Sequence, residues 1–163
     1  AMVETATKMG TGAGGTRNIA GTNHPLVQLE NELADLHGKK SALVFTSGYV
    51  SNQTGISTIA RLIPNCLILS DAYNHNSMIE GVRRSNCEKI LFRHNDMAHL
   101  EELLAQAGKD RAKLIVFESL YSMDGDIAPL TEALAVRSSI VSRSMNGSAP
   151  GEPLPTTPGH AAL

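Results

Sequence analysis

The chain has 163 residues, 42% hydrophobic and 18% charged, with 14 Lys and Arg against 16 Asp and Glu for a net charge of −2. That length suits one domain. The composition excludes a wholly disordered chain, a collagen and a coiled coil, and the near-neutral balance excludes an electrostatic footprint for nucleic acid or an acidic membrane.

In chain order, residues 1–9 read as helical. The opening AMVETATKMG has neither the charged and apolar regions of a signal peptide nor the Arg/Ser-rich bias of a transit peptide, so a cytoplasmic location is expected. Residues 10–22, GTGAGGTRNIAGT, formally contain Gly-x-Gly-x-x-Gly at Gly10, Gly12 and Gly15. A dinucleotide fingerprint needs a strand before it, a helix after it and an acid about 20 residues on. Here a helix precedes, and Glu30 and Glu32 fall inside another. The glycines read instead as a crossing that needs positive φ or close backbone approach. Thr16, Arg17 and Asn18 would be costly to bury unpaired.

Residues 25–37 are expected to be a helix, with Pro25 in its first turn, Leu26, Leu29, Leu33 and Leu36 on one face and Gly38 as the stop. Short apolar runs at 41–45, 66–69, 89–93 and 113–117 read as four buried strands. Between and after them, 48–62, 75–85 and 97–107 read as helices, the last capped by Asp96, and Pro129 starts another. This alternation predicts an α/β fold, a mostly parallel sheet with helices on both faces. Cys66 and Cys87 are too few for a disulfide framework and form no Cys-x-x-Cys pair, so a reduced setting and no metal site are expected. No apolar run approaches the length of a membrane span. Residues 136–163 hold four of the 7 prolines and keep no apolar period, so they read as a disordered tail behind a domain of 1–135.

A polar cluster follows each expected strand: Thr46 to Gly48, Ser70 to His75, His94 to Asp96, and Glu118 to Asp126. Ligands of open parallel sheets bind at the carboxyl ends of strands. The four clusters are therefore expected to converge on one edge.

The segments TGAGGTRNIAGT, LVQLENELADLHGK, ALVFTSGYVSNQ, LSDAYNHNSMIEGVRRS, FRHND and FESLYSMDGDIAPL, in this order and spacing, resemble the α-oxoamine synthases, and among them the 5-aminolevulinate synthase family. The resemblance covers residues 1 to about 135. It implies part of the large domain of a fold-type-I pyridoxal 5'-phosphate (PLP) enzyme of the aspartate-aminotransferase kind. It implies PLP as cofactor, glycine and succinyl-CoA as substrates, and 5-aminolevulinate, CoA and carbon dioxide as products, the first step of tetrapyrrole and haem synthesis. It also implies a homodimer, with no nucleic-acid or membrane partner.

By the same resemblance, Ser47, Gly48 and Tyr49 cradle the cofactor phosphate, a role that suits a glycine turn entering a helix N-terminus. The turn also reads as a plain strand–helix connection. His75 matches the residue stacked on the cofactor ring; without that motif it reads as a cap on the helix at 75–85. Ser122 matches the hydroxyl on the cofactor's phenolic oxygen; by itself it reads as a turn residue. Thr16, Asn18 and Ile19 match positions beside the acyl substrate, Ser70 a contact to the succinyl carboxylate, and Lys89 a contact to the CoA phosphates, although a lysine starting a strand also reads as simply solvated. Glu118, Asp124 and Asp126 are assigned to holding the site loop.

The family also requires a lysine that forms the internal aldimine and an aspartate on the pyridinium nitrogen. None of Lys8, Lys39, Lys40, Lys89, Lys109 or Lys113 stands at the lysine's position, so no catalytic residue is assigned within this chain. The change of character at 136 reads as a frameshift or truncation. The chain alone is expected to be inactive and to hold PLP weakly or not at all. Two alternatives are another α-oxoamine synthase, such as one of the glycine C-acetyltransferase type, and a non-catalytic fragment that pairs with an intact enzyme.

Overall fold

Asn23 opens the first long helix. Its side-chain oxygen accepts from the Leu26 N–H at 3.1 Å, and Pro25 gives up an N–H that has no helical partner in the first turn. The computed structural model describes residues 2–136; the expected tail lies, but for Val136, outside the described residues. The chain divides into two units, residues 1–51 and residues from 52 on. The first holds α1 (Met2–Met9), a short π-helical turn (Arg17–Gly21) and α2 (His24–Leu36), and α3 (Gly48–Leu62) runs from it into the second.

The glycine-rich crossing follows a helix, as the sequence predicts. Gly10 ends α1 with φ +79°, and Gly14 repeats the left-handed conformation at +72°. The Thr16 carbonyl then accepts from the N–H groups of Ile19, Ala20 and Gly21 at 3.0, 3.1 and 2.7 Å, closing the π-turn. A Cβ at Gly21 would lie 2.2 Å from the Gly15 carbonyl oxygen, so only glycine fits there.

The expected strand at 41–45 is not formed, and at Val44 both backbone groups are bonded to side chains. The Val44 N–H donates to Glu30 Oε1 at 2.8 Å, and the Val44 carbonyl accepts from Arg17 Nη2 at 2.7 Å. The Val44 N–H, its single donor, is thereby committed to a side chain. Arg17 and Glu30 also pair with each other at 2.6 Å.

The second unit is a three-stranded parallel sheet in the order β2–β1–β3, with β1 at Leu67–Asp71, β2 at Glu88–Phe92 and β3 at Lys113–Val116. Leu67 stands opposite Glu88 and Lys113, and Ser70 opposite Leu91 and Val116. The intervening helices are α4 (Asn76–Ser85) and α5 (Met97–Gln106), and 130–136 are helical. β1 is buried along its whole length, as a central strand covered on both faces must be.

Two apolar clusters cover it. Ile68, Val116 and Cys66 pack with Ala60 and Ile56 of α3, with Ile63 just after it, and with Val82 and Met78 of α4. Leu67, Leu69 and Phe92 pack with Leu100 and Leu104 of α5. Helices thus lie on both faces, and alternate residues of β1 feed alternate clusters. α3 and α4 meet at Gly81, where an added Cβ would lie 3.0 Å from the Asn52 carbonyl oxygen and 3.0 Å from Ile56 Cβ.

Candidate functional site

Three of the four predicted polar clusters meet at the carboxyl ends of β1, β2 and β3. Asn74, just past β1, donates through Nδ2 to Ser70 Oγ at 2.9 Å and to the Val116 carbonyl at 2.8 Å, tying β1 to β3. Its Oδ1 is buried without a hydrogen-bond partner. The His75 N–H donates to Glu118 Oε1 at 2.5 Å, a second tie across the same edge. The His75 side chain caps α4: Nδ1 accepts from the Ser77 N–H at 3.1 Å and lies 2.7 Å from Ser77 Oγ. Ser77 is fully buried, and its hydroxyl accepts from Asn52 Nδ2 at 3.0 Å. The ring is thus fixed by the helix it starts, while His75 as a residue is exposed.

Asp71, the last residue of β1, is 1% exposed. Its Oδ1 accepts from the Tyr73 N–H at 2.8 Å and the His94 imidazole Nδ1 at 2.9 Å, and its Oδ2 from the Asn95 N–H at 3.0 Å. A buried carboxylate with three donors is the arrangement that makes such a group tolerable. The His94 ring stacks on Tyr73, with centroids 4.5 Å apart and planes 15° from parallel, and meets Tyr121 edge-on at 4.4 Å. Its Nε2 lies 3.3 Å from Asp126 Oδ2. Burial alone would lower the pKa of His94, but the hydrogen bonds and charges of Asp71 and Asp126 outweigh it and raise it above the ordinary histidine value. Burial pushes the Tyr121 phenol far above the usual tyrosine range, so it stays protonated.

The loop after β3 is a narrow hairpin. The Tyr121 N–H donates to the Asp126 carbonyl at 2.9 Å, the Gly125 N–H to Tyr121 at 2.9 Å and the Ala128 N–H to Ser119 at 3.0 Å, with Leu120 bridged to Ile127. Gly125 turns the chain at φ +76°. Ser122 and Asp124 are exposed in this turn, and Asp126 faces His94.

The other predicted residues fall as follows. In the first unit, Ser47 caps α3 by accepting the Val50 N–H at 3.2 Å, with Gly48 and Tyr49 opening the helix. Thr16, Asn18 and Ile19 are exposed on the π-turn, Ile19 at 84%. Arg17, flagged by the sequence as costly to bury unpaired, is a structural residue with its guanidinium on Glu30 and Val44. Ser70 is 2% exposed; its hydroxyl oxygen accepts from Asn74 Nδ2, and its O–H donates to the Asp71 carbonyl at 3.4 Å. Lys89 is exposed on β2. A cavity of about 350 Å³ along the glycine-rich crossing and another of about 580 Å³ between α3 and α4 are lined by none of these residues. Among the described residues no group of three His, Cys, Asp or Glu is arranged to hold a metal ion.

Sequence reasoning passed over Asp71, Asn74, His94 and Tyr121 as individuals. The signal was present: each sits in a polar cluster behind a strand, and each lies within a motif that carried the resemblance.

The chain matches the family model "Aminotransferase class I and II" over residues 1–144. It is 77% identical over 132 residues to a 5-aminolevulinate synthase of Bradyrhizobium diazoefficiens, covering 81% of this chain and 32% of that protein. It is 58% identical over 123 residues to a mitochondrial 5-aminolevulinate synthase of Schizosaccharomyces pombe, covering 76% of this chain and 22% of the relative. Among solved structures, a serine palmitoyltransferase from S. paucimobilis with a bound PLP–myriocin aldimine superposes with a TM-score of 0.78 at 39% identity, covering 85% of this chain and 34% of that one. The chain therefore spans about a third or less of the length of these proteins.

Proposed function

We propose, for a chain that belongs to the class I and II aminotransferase family, that it is part of the large domain of a 5-aminolevulinate synthase, which condenses glycine with succinyl-CoA. The observation that carries this reading is the 77% identity to a protein of that name over four-fifths of the chain.

PLP is the cofactor in this reading, and when bound it supplies the electron sink for a carbanion at the glycine α-carbon. The chemistry on offer fits it. The start of α3, at Ser47, Gly48 and Tyr49, offers backbone N–H groups and a favourable dipole to a phosphate. His75, fixed at Nδ1 by Ser77, offers a flat ring to stack on the pyridine. Ser122 donates its hydroxyl to the phenolic oxygen. Thr16, Asn18 and Ile19 border the acyl substrate, and Lys89 attracts the CoA phosphates. Glu118 holds the His75 backbone, and Asp124 and Asp126 shape the loop that carries Ser122. The enzyme works as a homodimer in this reading, and the exposed Met2, Val3 and Ile19 of the first unit suit burial against another surface. A cytoplasmic setting follows the bacterial relative, at 77% identity against 58% for the mitochondrial one. Among the described residues no helix is long and apolar enough to cross a membrane.

The test is a chimera in which residues 1–136 replace the matching segment of the Bradyrhizobium diazoefficiens enzyme. The expected result is 5-aminolevulinate from glycine and succinyl-CoA, with succinyl-CoA preferred to acetyl-CoA. In that background His75→Ala and Ser122→Ala should each lower kcat/KM by about 100-fold, the cost of a misplaced reacting group. A folded chimera that turns over acetyl-CoA better, or neither substrate, overturns the reading.

A further inference from the structure

The atom that stands out from the site just described is His94 Nε2, because its two neighbours demand opposite things of it. Asn95 Nδ2, at 3.2 Å, can only donate. Asp126 Oδ2, at 3.3 Å, accepts when ionised. The other ring nitrogen is already committed, since Nδ1 faces the buried Asp71 carboxylate at 2.9 Å. A neutral ring with its proton on Nδ1 therefore leaves Nε2 as an acceptor for Asn95. An imidazolium turns Nε2 into a donor for Asp126. The side chain is 16% exposed and held between Tyr73 and Tyr121, so the ring stays in place while its hydrogen-bond pattern changes.

Asp126 is part of the hairpin at 119–128, and its own backbone carbonyl accepts from Tyr121. His94 joins Asp126 of this hairpin to Asp71 at the end of β1, and meets the Tyr121 ring edge-on. The hairpin carries Ser122 at its exposed turn and continues directly from Glu118, which holds His75.

We propose that His94 is a positioning residue for the 119–128 hairpin, and that a proton on Nε2 is what clasps Asp126, and with it the turn bearing Ser122, to the carboxyl ends of β1 and β2. The titratable groups set against the ring are Asp71 from β1, Tyr73 just after it, and Tyr121 and Asp126 from the hairpin. Of these, the two carboxylates favour the protonated ring. The importance of the clasp for catalysis rests on the PLP reading above; the clasp itself does not.

The experiment is amide hydrogen exchange on the 163-residue chain without cofactor, reported as protection factors over a range of pH. The Tyr121, Gly125 and Ala128 amides report the hairpin, and those of Ile68 and Leu69 report the sheet. Protection of the hairpin should fall by about tenfold or more as pH rises through the His94 titration, while the sheet is unchanged. Asp126→Ala, at an exposed side chain that does not threaten folding, should give the loosened hairpin at every pH. Asp126→Asn, which keeps an acceptor oxygen, should restore most of the protection. His94→Ala should abolish the pH step. Hairpin protection that is independent of pH and unaffected by Asp126→Ala overturns the proposal, even if His94→Ala fails to fold. The chimera separates the two readings. A loosened hairpin with an inactive chimera removes the functional reading and leaves the clasp. An active chimera with an unmoved hairpin removes the clasp alone.

Discussion

Arg17 and Glu30 show how a charged pair can decide local structure. The Glu30 carboxylate takes the Arg17 guanidinium at 2.6 Å and the Val44 N–H at 2.8 Å. The Arg17 hydrogen bond, followed by that from Val44, lowers the Glu30 pKa. A lowered carboxyl pKa gives stability that is complete above the unfolded value and lost as pH falls through the folded one. The denaturation midpoints of the wild-type chain and Glu30→Gln should therefore differ most at neutral pH and converge in acid. His94 has the opposite sign. Its pKa is raised in the fold, so its contribution is complete below the unfolded value and lost as pH rises through the folded one. The stability difference between the wild-type chain and His94→Ala should therefore be largest in mild acid and shrink as pH rises through the titration of the folded-state ring. At Ser77, truncation to Ala would strand the buried amide contact from Asn52 and loosen the His75 ring, at a cost of about 1–3 kcal/mol in urea unfolding.

At the scale of elements, helix caps and one glycine set where the site stands. α4 begins where His75 caps it and α5 where Asp96 does, the Asp96 side chain accepting the His99 N–H at 2.8 Å. Each cap stands four residues beyond a strand end, so each helix start lies close to the polar edge. The α3–α4 crossing is fixed by Gly81. Gly81→Ala would place a methyl 3.0 Å from the backbone oxygen of Asn52, which cannot swing aside. Overpacking of this kind costs about 1–3 kcal/mol, and a thermal melt of the variant should show it. Because His75 and Ser77 sit on the same helix, the variant should also weaken any ligand stacked on His75; a Gly81→Ala chain with wild-type stability removes the idea of a tight crossing.

In the second unit, two apolar clusters grip opposite faces of one sheet, with Ile68 in one and Leu69, Leu100 and Leu104 in the other. Leu100 is fully buried, so Leu100→Ala should cost about 2–5 kcal/mol, and Ile68→Val about 0.5–1.5 kcal/mol. The clusters share no member. The double variant should therefore match the sum within about 0.5 kcal/mol. A larger discrepancy would mean that the sheet transmits strain from one face to the other.

The sequence by itself determined the period of each element and the polar clusters behind the strands. Short apolar runs became β1, β2 and β3 within two residues at either end, and the helices after them began at the expected caps, because those signals are local and set by neighbouring residues. It also offered a helix cap as one of two readings of His75, and read the glycine-rich crossing as something other than a dinucleotide loop. Only the tertiary structure decided the rest. At 41–45 the partners that hold the Val44 backbone, Arg17 and Glu30, come from 27 and 14 residues away in sequence. The grouping of Asp71 with His94 and Asp126 depended on a parallel register that lays one strand end beside the next, bringing together side chains 23 and 32 residues apart. Hydrophobic period reports which face of an element is buried, but it is silent on which polar side chains meet once the strands are aligned.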